Sequence, residues 1–239
     1  MLSIIIPTMN EEEHLGKLLD SIKEQELDNY EVIIADNGSK DKTLKIAKEY
    51  GCKITKGGLP AKGRNNGAKI AKGQLFLFLD ADVHFSEKVL PKVLKEFKKR
   101  KLKIATFFLI PSGSGKKQKM SKFFFTFFYN VPILLLEKVL PHAAMGILIE
   151  RKMFQKLNGY NEEITLAEDH DLARRAGKLG KYGILKSGKL SVSDRRFVKE
   201  GWLKTYSKFL LCEGHMIFIG PVKKDIFKYG FKHLENKEK

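Results

Sequence analysis

The sequence predicts an α/β fold: a mostly parallel central sheet with helices on both faces. Three observations predict it. Short apolar runs (SIII at 3–6, EVIIA at 31–35, LFLFL at 75–79) alternate with stretches whose apolar residues recur at helical spacing. Each run is nearly continuous in apolar character, as a parallel strand buried on both faces requires. A polar cluster follows each run closely: TMNEE, DNGSKD and DADVH.

Taken in order, Ser3 to Ile6 is the first strand, expected to stop at Pro7, which cannot donate to a ladder. Leu15, Leu18, Leu19 and Ile22 then mark a helix between Glu12 and Glu24. Glu31 to Ala35 is the second strand, and Leu44, Ile46, Ala47 and Tyr50 trace the second helix. Cys52 to Thr55 is a third strand, Gly63 to Lys72 a helix, and Leu75 to Leu79 a fourth strand that enters DAD. Further on, Pro111 to Lys122 reads as a Gly/Ser/Lys loop, Ile147 to Glu150 as a strand, and Leu166 to Leu179 as a helix opening with EDHD. Phe123 to Leu136 is strongly apolar but interrupted by Asn130 and Pro132, and falls short of the roughly 20 residues of a spanning helix. With Lys116, Lys117, Lys119 and Lys122 before it and Lys138 after it, it reads equally as an interfacial segment or as a buried core helix.

The chain of 239 residues is long enough for one good-sized domain. Its formal charge is +17, from 45 Lys/Arg against 28 Asp/Glu, and Ser86 to Lys138 alone holds thirteen Lys/Arg against three Glu. Such a balance points to an anionic partner: nucleic acid, a membrane surface or a phosphorylated substrate. A lysine-rich solvated surface is the plainer explanation. Two widely spaced cysteines without metal-ligand spacing fit a reducing compartment. The opening MLSIIIPTMNEE lacks the basic segment and long apolar run of a signal peptide, so a cytoplasmic location is expected.

In open parallel sheets, ligands bind at the carboxyl ends of the strands, so the three polar clusters are expected along one edge. Asp80 and Asp82 are expected in an extended segment, where alternate side chains share a face, and two adjacent carboxylates suit a hard cation, Mg²⁺ or Mn²⁺, completed by water and substrate phosphate. Asp36, Asn37 and Ser39 follow the second strand, where they are placed either to read a base and ribose or to form an Asx turn with Gly38. Glu168, Asp169 and Asp171 open a helix, where acids favour the macrodipole, and a carboxylate fixed there beside a substrate is placed to act as general base.

As a set, SIIIPTMNEE (3–12), EVIIADNGSKDKT (31–43), GRNNGAKIAKG (63–73), FLDADV (78–83) and LNGYNEEITLAEDHDLARRAGKLGKYG (157–183) resemble the family-2 glycosyltransferases of the GT-A, Rossmann-like fold. The resemblance implies transfer of one sugar from a nucleotide-sugar donor with inversion at the anomeric carbon. On the matching positions it implies that Pro7, Thr8, Asn10, Glu11, Asp36, Asn37, Arg64 and Asp80 bind the donor. It further implies that Asp80 and Asp82 hold Mg²⁺ or Mn²⁺, that Asp169 is the general base, and that Glu168 and Gly146 lie on the acceptor side. Arg195 and Arg196, in SDRRF, would pair with donor phosphates. The implied donors are UDP-, GDP- or dTDP-sugars, because Asn37 stands where many members carry a second acid. The implied organisation is a single GT-A domain over 1–225: a nucleotide-binding half (1–110), a basic-apolar insertion (112–145) and an acceptor half (146–225), then a basic tail (226–239). A lipid-linked acceptor and a peripheral place on the inner face of the cell membrane are expected from the Lys116–Leu136 segment. No nucleic-acid partner is expected. A basic nucleic-acid-binding protein is the alternative, but it leaves three acidic strand ends unexplained. A haloacid-dehalogenase-like phosphatase, also built on a strand followed by DxD, fits His84 and the position of the motif less well.

Overall fold

A computed structural model describes residues 1–112, 122–123, 125–193 and 201–223. Arg195 and Arg196, Lys116, Lys117 and Lys119, and the tail 226–239 lie outside the described residues. The described strands are β1 (Leu2–Thr8), β2 (Tyr30–Asp36), β3 (Lys53–Lys56), β4 (Leu75–Leu79), β5 (Val83–His84), β6 (Ile104–Ser112), β7 (Gly146–Glu150) and β8 (Tyr182–Ser193). They form one sheet in the order β3-β2-β1-β4-β7-β6-β8-β5. β3, β2, β1 and β4 are parallel to one another, as β6 and β8 are; β7 runs antiparallel to β4 and β6, and β5 antiparallel to β8. The chain turns from β1 to β2 on one side and later returns to β4 on the other, so the carboxyl ends of β1 and β4 flank a topological switch point.

The helices are α1 (Leu15–Lys23), α2 (Thr43–Glu49), α3 (Pro60–Ile70), α4 (Leu90–Lys99), α5 (Val131–Leu135), α6 (Arg151–Lys156), α7 (Glu168–Leu179) and α8 (Trp202–Phe218). Alternation along each strand sorts the core into two layers. Ile4, Ile6, Ile34, Leu77 and Leu79 pack with α1 and α4 on one face, through Leu15, Leu18, Leu19, Ile22, Leu90, Val93 and Phe97. Ile5, Ile33, Phe76 and Phe78 pack with α3, α6 and α7 on the other, through Ala61, Ala68, Met153, Phe154, Leu172, Ala173 and Ala176. Helix α3 lies especially close to β1: a Cβ added at Gly67 would sit 2.4 Å from Ile5 Cγ2.

Three local expectations are corrected. β1 does not stop at Pro7; it runs to Thr8, with Pro7 in register with Ala35. The ladder from β1 to β4 ends at Ile5–Phe78, so on that side nothing calls for the N–H that proline lacks. Likewise β6 runs through Pro111 to Ser112, paired with β8. Asp80 to Asp82 lie in a turn between β4 and β5 instead of extending β4, with Ala81 buried and both acids partly exposed.

The apolar segment after Phe123 divides its side chains between core and solvent. A π-helical turn, Phe125–Asn130, leads into α5. Phe125, Asn130 and Ile133 are buried, whereas Phe127, Leu135 and Val139 are exposed. Asn130 meets the edge of β6 as another strand would: its side-chain amide donates to Leu109 O at 2.8 Å and its Oδ1 accepts from Leu109 N at 3.1 Å. No helix among the described residues is long and apolar enough to cross a membrane.

Candidate active site

The parallel order of β2, β1 and β4 brings TMNEE, DNGSKD and DAD to one edge. The first two loops are hydrogen-bonded together. Asn10 N donates to Ser39 Oγ at 2.9 Å, Glu11 N to Thr43 Oγ1 at 2.8 Å, and Lys40 N to Asn10 Oδ1 at 2.9 Å. Asn10 has a left-handed backbone, φ 54°, which asparagine tolerates better than most residues. Asp36 is buried and forms the Asx turn: Oδ2 accepts from Gly38 N and Ser39 N, and Oδ1 from Thr8 Oγ1 and Ser39 Oγ. Its carboxylate therefore shapes the floor of the edge, while the Asn37 amide reaches Met9 Sδ at 3.4 Å. Pro7 faces α3, where a Cβ added at Gly63 would lie 3.3 Å from its Cβ.

The centre of the site is Arg64 on α3, only 3% exposed. Its Nη2 donates to Asp80 Oδ1 at 2.6 Å and its Nη1 to Glu168 Oε1 at 2.5 Å, with Asp169 Oδ1 at 3.6 Å from the same Nη1. Its guanidinium also stands 5.3 Å from the Tyr160 ring centroid. Burial works against the Arg64 charge, but Asp169, Asp80 and Glu168 outweigh it and hold its pKa well above the usual value. A single buried cation thus ties the turn after β4 to the first turn of α7.

Asp169 is 8% exposed. Its Oδ1 accepts from Tyr160 Oη at 3.1 Å and its Oδ2 from Met145 N at 3.3 Å. Met145 O in turn accepts from Asp80 N at 3.4 Å, so one residue with a left-handed φ of 59° touches both acids. Burial raises the Asp169 pKa to about 6, with Arg64 pulling the other way. At neutral pH such a carboxylate is mostly ionised yet more basic than one on the surface, which suits a proton acceptor.

Tyr160 is placed by the turn at Asn158–Tyr160. Asn65, beside Arg64, accepts from Tyr160 N and donates to Tyr160 O, both at 2.9 Å. Gly159 has φ 72°, and a Cβ there would lie 2.5 Å from Asn65 Oδ1. Arg175 donates to Leu157 O and Gly159 O and pairs with Asp171 at 2.7 Å, so Asp171 supports the turn. Gly146 lies inside the sheet, where a Cβ would meet Leu190 and Phe107. Asp80, with its second carboxylate oxygen beyond the Arg64 contact, and the partly exposed Asp82 offer hard oxygen donors of the kind Mg²⁺ or Mn²⁺ takes.

The sequence model of Glycosyl transferase family 2 matches residues 3–157. The chain belongs to this family. Among its relatives is an uncharacterized glycosyltransferase of Haemophilus influenzae, 31% identical over 186 residues; the match covers 72% of this chain and 60% of that protein. The fold is shared with TarS 1–349 of S. aureus in complex with UDP, at a TM-score of 0.64 and 21% identity over 91% of this chain and 72% of that one. It is also shared with the mannosyltransferase PcManGT of Pyrobaculum calidifontis in complex with GDP-Man and Mn²⁺, at a TM-score of 0.68 and 18% identity over 88% and 61%.

Of the residues expected at the site of this family 2 chain, Thr8, Asn10, Glu11 and Asp36 take part in the hydrogen bonds of the first two loops, and Arg64, Asp80, Glu168 and Asp169 form a second cluster around the guanidinium. Tyr160, Asn65 and Met145 were not singled out from sequence. The first two lie in matched segments, NGY and GRNNG, where an aromatic and an amide next to a recognised charge were the available signal. Nothing in the local pattern of AAMG marks Met145, whose part is played by its backbone.

Proposed function

We propose that this family 2 chain is a metal-dependent, inverting glycosyltransferase. It moves one sugar from a UDP-, GDP- or dTDP-sugar to the hydroxyl or lipid phosphate of an acceptor held at a membrane. The observation that carries the reading is Arg64, which holds Asp80, Glu168 and Asp169 within reach of one guanidinium at the carboxyl edge of the sheet. Asp169 is oriented by Tyr160 and Met145 and is basic enough to take the acceptor proton. The freed oxygen attacks the anomeric carbon opposite the nucleoside diphosphate, the bond to the phosphate oxygen breaks, and the proton stays on Asp169. The loops after β1 and β2 supply the nucleoside side of the cleft. A divalent ion held by Asp80 and Asp82 would neutralise the departing diphosphate. Support for a nucleotide-sugar donor comes from the UDP bound by TarS and the GDP-Man and Mn²⁺ bound by PcManGT.

The membrane part of the reading is supported by exposed apolar side chains near lysines. Leu135 and Val139, 78% and 80% exposed, flank Lys138, and Leu210, Leu211, Phe218 and Ile219 are exposed along and just past α8. That surface and the net positive charge support a peripheral place on the cytoplasmic face.

A thermal-shift screen of UDP-, GDP-, dTDP- and CMP-sugars with and without Mn²⁺ tests the donor, because a ligand that binds the native state stabilises it by mass action. A metal-dependent rise with one nucleotide is expected; a rise with DNA and none with any sugar nucleotide overturns the reading. Flotation with anionic vesicles tests the membrane part, which is lost if the protein stays at the bottom of the gradient.

A further inference from the structure

Behind the base, three side chains from three elements meet. His142 lies in the segment before β7, His170 follows Asp169 in the first turn of α7, and Glu213 is on α8. One ligand atom from each lies within 4.8 Å of the others. Glu213 Oε1 is 3.5 Å from His142 Nδ1 and in close contact with His170 Nδ1, and the two imidazole rings are 3.8 Å apart between centroids. We propose that His142, His170 and Glu213 bind a borderline divalent transition metal, of the Zn²⁺ class, through a ligand set that shares no residue with Asp80 and Asp82.

The donor set decides the class. Two imidazoles and one carboxylate form a three-ligand zinc centre with a fourth position for water, whereas Mg²⁺ prefers oxygen donors throughout. Tetrahedral zinc with bonds of about 2.0–2.1 Å sets its donor atoms about 3.3 Å apart. The 3.5 Å separation of His142 and Glu213 already matches, the closer His170–Glu213 contact would open to that spacing, and any wider gap would close with a movement of at most about 1.5 Å. Neighbours hold the glutamate side chain and the backbone that carries the histidines. Arg174 donates to the other Glu213 oxygen at 2.7 Å, Tyr182 Oη donates to His142 O at 2.5 Å, and Pro141 packs so closely on α7 that a Cβ at Gly177 would lie 2.6 Å from its Cγ. The ion would fasten α8 and the segment before β7 to the turn of α7 that carries Asp169, clamping that turn while keeping one position for water.

The test is Co²⁺ titration of full-length protein stripped with EDTA, followed by visible absorption, with Zn²⁺ as competitor and the melting temperature as second readout. Expected for the wild type are the strong visible bands of tetrahedral Co²⁺ at one equivalent, their loss on adding Zn²⁺, and a rise in melting temperature with Zn²⁺. Asp82→Asn should keep these bands; His142→Ala and the near-isosteric Glu213→Gln should weaken binding at least 100-fold. If His142→Ala fails to fold, Glu213→Gln and His170→Asn decide. The proposal is overturned if no tetrahedral bands form, if the triad variants titrate like the wild type, or if Asp82→Asn abolishes the bands. The proposal does not rest on the donor reading, because Asp82→Asn separates the two sites.

Discussion

Replacing Arg64 with methionine keeps most of the side-chain volume and removes a buried cation that faces three carboxylates. Asp80, Glu168 and Asp169 stand 2.6, 2.5 and 3.6 Å from its guanidinium nitrogens. Removing one partner of a buried ion pair costs about 3–5 kcal/mol, because the remaining charge is left uncompensated. Part of that cost depends on pH. Asp169 titrates at about 6 in the folded chain against an ordinary 3.8 for an aspartate, so between these values the folded state holds more protons than the unfolded one. Wild-type stability from this group therefore falls as pH rises from about 4 to 6 and is level above. Without the lowering pull of Arg64, the folded pKa of Asp169 moves higher, and stability of the variant goes on falling where the wild type is level. Urea unfolding followed by circular dichroism at pH 5 and pH 8 measures the difference. The deficit of Arg64→Met should be larger at pH 8 by at least about 1 kcal/mol, which corresponds to somewhat under one unit of further shift. Equal deficits at both pH values, or a deficit below about 1 kcal/mol at each, would refute the role of Arg64 as counter-ion to the base.

Asp169→Asn should reduce the turnover by about 10²–10⁴-fold, with donor affinity by calorimetry near that of the wild type; an unimpaired variant removes Asp169 as the base. In the wild type, kcat/KM should fall as pH drops through about 6, the acid limb being lost when the Asp169 carboxyl takes up its proton, and a profile flat down to pH 4.5 contradicts that assignment. Asp82→Ala should abolish the Mn²⁺-dependent part of donor-induced thermal stabilisation, and a retained shift takes Asp82 out of the metal site. Gly67→Ala should destabilise by about 1–2 kcal/mol in urea unfolding, since overpacking against Ile5 Cγ2 at 2.4 Å outweighs the gain of up to about 1 kcal/mol from helix propensity. A stabilised variant would mean that α3 can withdraw from β1 at little cost.

Much of the fold is legible because alternation and helical spacing are local. Ile4, Ile5 and Ile6 read as a strand buried on both faces, and in the structure they divide between the two core layers. The prolines were misleading: Pro7 and Pro111 lie within paired strands, and only the neighbouring ladders decide whether a missing N–H matters. The DAD motif was legible as a strand end but not in shape, because the chain turns there before pairing β5 with β8. Asp36 was open between reading a ligand and forming a turn, and its hydrogen bonds supply the turn.

By itself, the sequence determined the strand-helix alternation, the polar cluster after each strand and the acidic opening of α7, since all of these depend on residues a few positions apart. It also placed Arg64, Asp80 and Asp169 among the residues of interest. Only the tertiary structure decided that Arg64 is the buried link between them, across 104 positions to Glu168 and 16 to Asp80. It also decided that Met145 and Tyr160 hydrogen-bond to Asp169, the residue proposed as the base. The physical reason is that these contacts require the order β1-β4-β7, which sets Met145 beside Asp80, and the close approach of glycine-bearing α3 to β1, which carries Arg64 and Asn65 to the site. Strand order and interlayer distance belong to the assembled sheet, and no short stretch of the chain encodes them.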